Sequence, residues 1–161
     1  MKLFASAALL GLLAPVADAH RAPNSFVRLD LDARAVHAEM LVPQSELAYA
    51  MPGEQGPRTF AGYLLRHVAV EGADGTRWKI AVRAVRSTRY FDHDYFVAEL
   101  EIKPPAGVAA RDFVLVDDAV THEVRNHVVV VTQRGKKDRL IGQLQYPARR
   151  LTVGQPPGGR Q

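Results

Sequence analysis

The sequence predicts a mostly β protein: a single antiparallel β-sandwich of about seven or eight strands with one or two short helices. Two observations support this prediction. Apolar and polar residues alternate over many short segments, which is typical of half-buried strands. Clusters of glycine, proline and aspartate separate those segments at short intervals, as they do in sandwiches.

The predicted strands are joined by turns of recognisable composition. The first two strands form a hairpin with a turn at residues 32–34. A second hairpin is predicted around residues 72–75, because Gly72 and Gly75 tolerate positive φ, and a last one closes at residues 135–138. The predicted strands cover residues 25–32, 35–42, 68–71, 78–85, 95–102, 113–116, 128–132 and 140–144.

Two short helices interrupt the strands. Ser45 can cap a helix that ends before Pro52. Between Pro57 and His67, apolar and aromatic residues recur at spacings of three and four, which predicts a second, amphipathic helix beginning at the proline.

The N-terminus has the composition of an export signal. Lys2 precedes an apolar run over residues 3–16, and small residues lead to Ala19. The run is shorter than the roughly 20 residues that span a bilayer. We therefore expect cleavage after Ala19, a mature chain that begins at His20, and a periplasmic or secreted location. No later apolar run is long enough to span a membrane, so we expect no transmembrane segment after cleavage.

Length and composition indicate one domain. The chain has 161 residues, a formal net charge of +4 and no cysteine. Without cysteine it cannot be a disulfide-stapled scaffold. The basic residues are spread over predicted loops and strand ends instead of forming one basic face, so we expect no nucleic-acid binding. The predicted organisation is a signal peptide over residues 1–19, a β-sandwich domain over 20–146 and a disordered tail over 147–161.

The residue with the most unusual chemistry is His20. Cleavage after Ala19 frees the α-amine of His20 beside its imidazole, and these two nitrogens can chelate one metal ion. Copper(II) and nickel(II) suit such donors because both accept nitrogen ligands in square or tetragonal geometry. The alternative is that His20 follows the cleavage site and binds nothing.

His122 and His127 form a second candidate metal site, with Glu123 between them. In one continuous strand their odd separation would put the two rings on opposite faces, so they share an ion only if a turn or bulge intervenes. The polar residues 123–126 allow such a turn. The alternative is two ordinary strand-end histidines that hydrogen-bond to the backbone.

His93 is the third candidate, because Asp92 and Asp94 flank it and carboxylates can orient an imidazole as a metal ligand. The same residues are equally typical of an exposed turn. His37 is placed on the polar face of a strand and His67 on the apolar side of a helix, and we interpret both as structural. Glycine-rich phosphate loops and the His-Glu-x-x-His and Gly-x-Ser-x-Gly motifs are absent, so the sequence does not indicate an ordinary hydrolase.

Several short segments resemble a known family. Residues 19–26 (Ala-His-Arg-Ala-Pro-Asn-Ser-Phe) and 42–47 (Val-Pro-Gln-Ser-Glu-Leu) resemble the start of the exported region of HupE/UreJ-like membrane proteins. The similarity covers roughly residues 19–146. The further segments that resemble this region are residues 104–107, 117–120 and 121–124.

The resemblance implies an extracytoplasmic β-rich domain that normally precedes a bundle of transmembrane helices, in proteins linked by analogy to nickel or other metal handling. His20 matches the mature N-terminal histidine of that family, and His122 and His127 match histidines of its Thr-His-Glu-Val segment. This sequence departs from the pattern because no membrane-spanning run follows residue 19. We therefore expect a stand-alone homologue, a subunit of a split system or a truncated form, and not a transporter.

Three functions stay open from the sequence. The first is an exported accessory domain that binds copper or nickel through His20, with His122, His127 or His93 completing the site. The second is a non-catalytic interaction domain that docks on a membrane protein partner through a strand edge or the short helices, without a metal. The third is a copper monooxygenase-like enzyme, but its flat aromatic substrate face is not apparent in the scattered aromatic residues, so we expect no enzyme.

Overall fold

The computed structural model describes residues 23–154, and this part of the chain contains nine strands and two helices. The predicted fold class is confirmed, because the described residues are mostly strand and form two sheets in a sandwich-like arrangement. The elements are β1 (Ser25–Leu31), β2 (Val36–Pro43), α1 (Gln44–Ala50), α2 (Pro57–His67), β3 (Val68–Gly72), β4 (Lys79–Tyr90), β5 (His93–Lys103), β6 (Phe113–Asp117), β7 (Val129–Gln133), β8 (Arg139–Leu144) and β9 (Arg150–Val153).

The larger sheet has six strands in the order β4-β5-β2-β1-β7-β8. Neighbouring strands are antiparallel except β1 and β7, which run parallel with Ser25 beside Val129. The first and last predicted hairpins, β1–β2 and β7–β8, are confirmed. Phe91 and Asp92, both with positive φ, form the two-residue turn that joins β4 to β5, as hairpin turns of this length require.

The smaller sheet consists of β3, β6 and β9, with β6 in the centre and both pairings antiparallel. Its third strand lies within residues 147–161, which the sequence predicts to be disordered. That prediction is wrong for residues 150–153, because Val153 is fully buried and pairs with Phe113. So short a strand shows only two inward apolar residues, Leu151 and Val153, which is too few for a periodic pattern. Residues 155–161 lie outside the described part.

The predicted second hairpin forms only next to its turn: Glu71 pairs with Arg77 and the backbone N–H of Trp78 donates to the carbonyl of Val70 at 2.8 Å, but β4 itself pairs with β5. The backbone N–H of Gly75 donates to the carbonyl of Gly72 at 2.9 Å. After Trp78 the chain crosses to the larger sheet, where β4 pairs with β5 and continues to Tyr90. The ring of Trp78 is buried, with its centroid 5.2 Å from that of Phe113 in the smaller sheet. Packing of this aromatic pair therefore holds the crossing point between the sheets.

Both predicted helices form within one residue of their expected bounds. α2 begins at Pro57, which lacks only an N–H that the first turn would leave unpaired. The ring of Phe60 stacks on Phe96 of β5, with centroids 5.1 Å apart. This contact fixes α2 against the larger sheet and sets the position of its last residue, His67.

One apolar core fills the space between the sheets. In β1, Val27 and Leu29 are buried while the intervening Arg28 is partly exposed, as the alternation predicts. The outer face of the larger sheet carries a small apolar cluster around Tyr95 and a group of charged residues, in which the carboxylate of Glu39 accepts from Arg28 at 3.2 Å and from Arg86 at 3.3 Å. Burial of this core holds the two sheets together. The charged and polar side chains lie at the ends of the sheets and on this outer face.

The predicted signal peptide, residues 1–19, and His20 lie outside the described residues. Of the helices within residues 23–154, neither is long and apolar enough to cross a membrane. The longer one, α2, has 11 residues, whereas about 20 are needed.

Candidate metal centre

Three chain segments meet at one end of the smaller sheet. His67 ends α2, and Asp118 follows β6. Val68 pairs with Asp117 in the ladder between β3 and β6, so the residues next to this pair lie side by side. The backbone N–H of Asp118 donates to the carbonyl of His67 at 3.2 Å, and that of Asp117 donates to the carbonyl of Arg149 at 3.0 Å. The sheet register thus gathers a histidine, an aspartate and an arginine.

A hydrogen bond joins the side chains of His67 and Asp118. Nδ1 of His67 donates to Oδ1 of Asp118 at 2.9 Å, and the two side chains are 23% and 24% exposed. The second oxygen, Oδ2, accepts from Nη1 of Arg149 at 3.4 Å. An ionised carboxylate only accepts hydrogen bonds, so the neutral ring of His67 carries its proton on Nδ1 and a free lone pair on Nε2.

His122 reaches Asp118 from the next turn of the chain. Its backbone N–H donates to the carbonyl of Asp118 at 3.3 Å, which closes one helical turn, and its ring Nδ1 donates to the same carbonyl at 2.7 Å. A carbonyl only accepts, so this ring also carries its proton on Nδ1 when neutral. Asp118 therefore orients both imidazoles, one through its carboxylate and the other through its backbone, and leaves both Nε2 lone pairs free.

The turn that holds His122 begins at a buried carboxylate, Asp117. Its Oδ1 accepts from the backbone N–H of Ala119 at 2.9 Å, as aspartate does at the start of many turns. Burial raises the pKa of Asp117 to about 6, against the lowering effect of the Ala119 hydrogen bond, and the charge of Asp118 adds to the rise. When both residues are ionised, two adjacent negative charges lie at this end of the sheet.

The two imidazoles stack on each other. Their centroids are 4.4 Å apart and their planes differ by 16°. The ring of Tyr63, one helical turn before His67, lies 4.4 Å from His67 and 6.2 Å from His122. Its hydroxyl is buried without a hydrogen-bond partner among the described residues. Burial, and then the charges of Asp117 and Asp118, raise the pKa of Tyr63, so the phenol stays protonated.

Within residues 23–154, His67, Asp118 and His122 form a group that can hold a metal ion. One potential ligand atom from each lies within 4.8 Å of the others. An ion at the centre of three atoms at that upper limit lies about 2.8 Å from each, whereas bonds to these side chains measure about 2.0–2.2 Å. By distance alone, each ligand atom must move inward by less than about 1 Å, and the direction of the ring lone pairs sets a further condition.

The stack sets a condition on metal binding. An imidazole binds a metal ion through a nitrogen lone pair, which lies in the plane of its ring. Two nearly parallel rings with centroids 4.4 Å apart cannot both direct such a lone pair at one ion. His122 lies on a turn and not in a strand, so its ring has the greater freedom to rotate. Coordination by both rings must therefore separate the stack.

A cavity of about 280 Å³ lies beside the cluster. The guanidinium of Arg125 stands over one of its walls, 4.8 Å from the ring centroid of Tyr146. The cluster is therefore accessible to small molecules from the side of His122. The residues that line the cavity are Asp118, Thr121, His122, Tyr146, Pro147 and Arg149.

Comparison with known proteins does not assign this cluster. No known family model matches the chain, and no curated protein matches it.

The structure separates the predicted metal ligands. His122 belongs to the cluster, whereas His20 lies outside the described residues. His93 begins β5 next to the hairpin turn and close to Glu46 of α1. Burial raises the pKa of Glu46, and the charge of nearby His93 opposes this rise. Asp94, which was expected to orient His93, is exposed and lies 4.0 Å from a guanidinium nitrogen of Arg89.

His127 lies in the core, where its side chain is fully buried. Its Nε2 is 2.8 Å from Oγ of Ser25. Its Nδ1 lies 3.9 Å from Oε2 of Glu46 and has no hydrogen-bond partner within residues 23–154. Burial lowers the pKa of His127 to about 4, so the ring is neutral at pH 7. The order serine, histidine, glutamate is that of a nucleophile, its base and an acid, but Ser25 is only 3% exposed and closed to substrates. This cluster ties β1 to the turn before β7.

Sequence reasoning missed His67 and Asp118. His67 was interpreted as structural because it lies on the apolar side of a helix, and Asp118 was not considered. Their contact joins residues 51 positions apart and depends on the register of β3 and β6, which no local pattern reveals. The signal that was present is the four-residue spacing of Asp118 and His122, because one helical turn brings such residues together.

Proposed function

We propose that this chain is an exported accessory domain that binds a divalent transition-metal ion between His67, Asp118 and His122. The observation that carries the proposal is that Asp118 accepts a hydrogen bond from each of the two imidazoles, through its carboxylate from His67 and through its backbone carbonyl from His122. Hydrogen bonds of this kind fix the tautomer of histidines that bind metals, so both Nε2 atoms are available to an ion once the two rings separate. The carboxylate of Asp118 can itself become a ligand only by turning away from Nδ1 of His67, because an ion on Nε2 lies at the opposite side of that ring.

The donor set favours particular metals. Two imidazole nitrogens and one carboxylate oxygen suit nickel, copper, zinc and iron(II) better than magnesium or calcium, which prefer oxygen ligands. Three protein ligands leave at least one coordination position open, unlike a closed structural site. The partial exposure of His67 and Asp118 gives an ion access to the site from solvent. These properties favour a site that takes up and releases metal.

The sequence supports the proposed location and metal. The N-terminus has the order of a secretory signal, and the resemblance is to HupE/UreJ-like proteins, a family linked by analogy to nickel or other metal handling. With no cysteine in the chain, metal ligands must be nitrogen and oxygen atoms. An intact mass beginning at His20 for protein recovered from outside the cytoplasm would support export, and a mass that retains Met1 would contradict it.

Calorimetric titration of the purified chain with nickel, copper, zinc and iron(II) tests the proposed function. We expect His67→Ala and His122→Ala each to weaken binding of the preferred ion at least tenfold, since each removes a ligand and even the loss of an outer partner costs 10–100-fold. His37→Ala is the matched control, because this histidine is exposed on β2 and outside the cluster. Circular dichroism checks that each variant is folded.

The same titration separates the two proposed locations of the ion. A chelate at the N-terminal His20 and a site at the cluster of His67, Asp118 and His122 are compatible with each other. If His20→Ala abolishes binding while His67→Ala and His122→Ala leave it unchanged, the ion is bound at the N-terminus and the proposed site at the cluster is wrong. Loss of binding in His93→Ala alone would likewise point away from the cluster.

The alternative of a docking domain has one surface in its favour, the edge strand β4. This strand has 12 residues and pairs on one side with β5. It also carries the features that protect edges from pairing, namely basic side chains and a bulge at Arg83. Arg83 and Arg86 are paired with glutamates of the same sheet, Glu101 and Glu39. These features indicate an edge that is protected from pairing with another strand. Metal binding is therefore the preferred proposal.

A further inference from the structure

We propose that the cavity beside the metal centre binds a small organic carboxylate, which takes the coordination position that the three protein ligands leave open. This inference rests on the proposed function, since the carboxylate is a ligand of the ion. It adds the chemical class of the molecule that binds the ion together with the protein ligands. Three properties of the cavity support it: its position and size, its charge and its apolar wall.

The position of the cavity puts its contents next to the ion. Asp118 and His122 belong both to the metal cluster and to the cavity wall. A molecule in the cavity therefore approaches an ion held by these residues from the side that the protein leaves open. Binding pockets commonly measure about 300–1,000 Å³, so a cavity of about 280 Å³ takes a small molecule.

The charge of the cavity selects an anion. Arg149 lines it, is 65% exposed and makes only a 3.4 Å contact with Asp118, so most of its N–H groups are free to donate. The planar fork of a guanidinium matches a carboxylate, which it can bind through two parallel hydrogen bonds. Arg125 adds a second positive charge above Tyr146. With a divalent ion in place, the positive charge of the ion and the two arginines exceeds the negative charge of Asp117 and Asp118 even when both are ionised.

The apolar part of the cavity favours an organic anion over an inorganic one. The ring of Tyr146 and the pyrrolidine of Pro147 form one wall, and Arg149 and His122 form the polar part. A short carbon chain can cover the apolar wall while its carboxylate faces the arginine and the ion. Sulfate or phosphate offers no apolar atoms to this wall and gains less from burial.

Nuclear magnetic resonance of the zinc-loaded full chain tests the inference, with propionate as the probe. Propionate should shift the signals of His122 and Tyr146 in a saturable manner. Its affinity for the zinc-loaded chain should be at least tenfold higher than for the metal-free chain. Arg149→Gln, also measured zinc-saturated, should weaken propionate binding tenfold or more, because it removes the guanidinium fork. Arg139→Gln is the matched control, since this exposed arginine lies on β8 and bonds to Gln133.

Each outcome has a distinct meaning. If zinc shifts the ring signals of His67 and His122 but propionate does not bind, or binds equally well to the Arg149→Gln variant, this inference fails and the proposed function stands. If sulfate competes with propionate at equal concentration, the selection of an organic anion is wrong. If zinc fails to bind, the proposed function fails. Propionate binding to the metal-free chain at full strength would then show a plain anion pocket and overturn the inference as stated.

Discussion

His67 and Asp118 are bonded to each other twice, once through the backbone at 3.2 Å and once from Nδ1 to Oδ1 at 2.9 Å. The pair extends the ladder between β3 and β6 by one step, so a buried sheet holds it in place. Sites supported by such regular elements are positioned more accurately than sites on free loops. The least constrained member of the cluster is His122, which lies on the following turn.

Asp118→Asn should weaken metal binding by about 10- to 100-fold, the usual cost of losing a partner of the ligating histidines. Asparagine has a similar shape and can still accept from His67, but it is a neutral and poorer ligand. Binding is measured by calorimetric titration. Asp94→Asn, an exposed carboxylate on β5, is the matched control and should bind as the wild type does. Equal weakening in both variants would indicate a general charge effect and not a site.

Metal binding should separate the stacked rings of His67 and His122. Stacked rings shift one another's proton resonances, so addition of zinc should move the ring signals of both histidines and of neighbouring Tyr63 together. Titration followed by nuclear magnetic resonance measures these shifts. The ring signals of Tyr95, which lies in a separate apolar cluster, serve as the internal control. Zinc binding that leaves the stack signals in place would mean that the ion is bound elsewhere.

His127 should make the protein less stable as the pH falls below 6.5. Its pKa is about 4 in the folded chain and 6.5 when unfolded, so between these values the unfolded chain binds a proton that the buried ring does not. The contribution of neutral His127 to the free energy of unfolding is complete above pH 6.5, and it is lost as the pH falls through 4. The full difference corresponds to about 3 kcal/mol in the free energy of unfolding. Urea unfolding between pH 4 and 7 measures it.

The control for this prediction is His127→Gln, whose neutral amide can still hydrogen-bond to Ser25. The variant should lack the part of the pH dependence that His127 contributes, whatever its stability at pH 7. Glu46 faces the same ring at 3.9 Å and can titrate nearby, so Glu46→Gln is measured over the same range. If the wild type and His127→Gln lose stability in parallel on acidification, the histidine is not responsible.

Val153→Ala should destabilise the protein by about 2 kcal/mol, because it removes two buried methyl groups from β9 and leaves a cavity. The neighbouring Thr152 is exposed, and Thr152→Ala should change the free energy of unfolding by less than about 0.5 kcal/mol. Chemical denaturation measures both variants. Equal, small effects would mean that residues 150–153 do not pack as a strand in solution.

Local patterns predicted most of the fold. Alternation and turn composition located eight strands and both helices, because each of these signals lies within a few neighbouring residues. The errors concern contacts between distant segments. β9 is too short to show a period, and β3 was paired with β4 because of the turn at Gly72, whereas burial of Trp78 and Phe113 takes the chain to the other sheet.

The candidate site was harder to predict for the same reason. His122 was identified from its histidine-rich segment, but His127, five residues away, belongs to the core beside Ser25. His67 looked structural because a helical pattern shows which face it lies on and not what lies opposite. Only the register of β3 and β6 brings Asp118 to it. The prediction at His20 concerns residues outside the described part, and it stays a prediction.

The most direct test of the central claim is a crystal of the metal-loaded chain measured at the absorption edge of the bound ion. We expect an anomalous peak about 2.0–2.2 Å from a ring nitrogen of His67, a ring nitrogen of His122 and an oxygen of Asp118, with the two rings no longer stacked. A peak at His20 alone, or at surface histidines such as His37 with the stack intact, would contradict the assignment of this cluster as the metal centre.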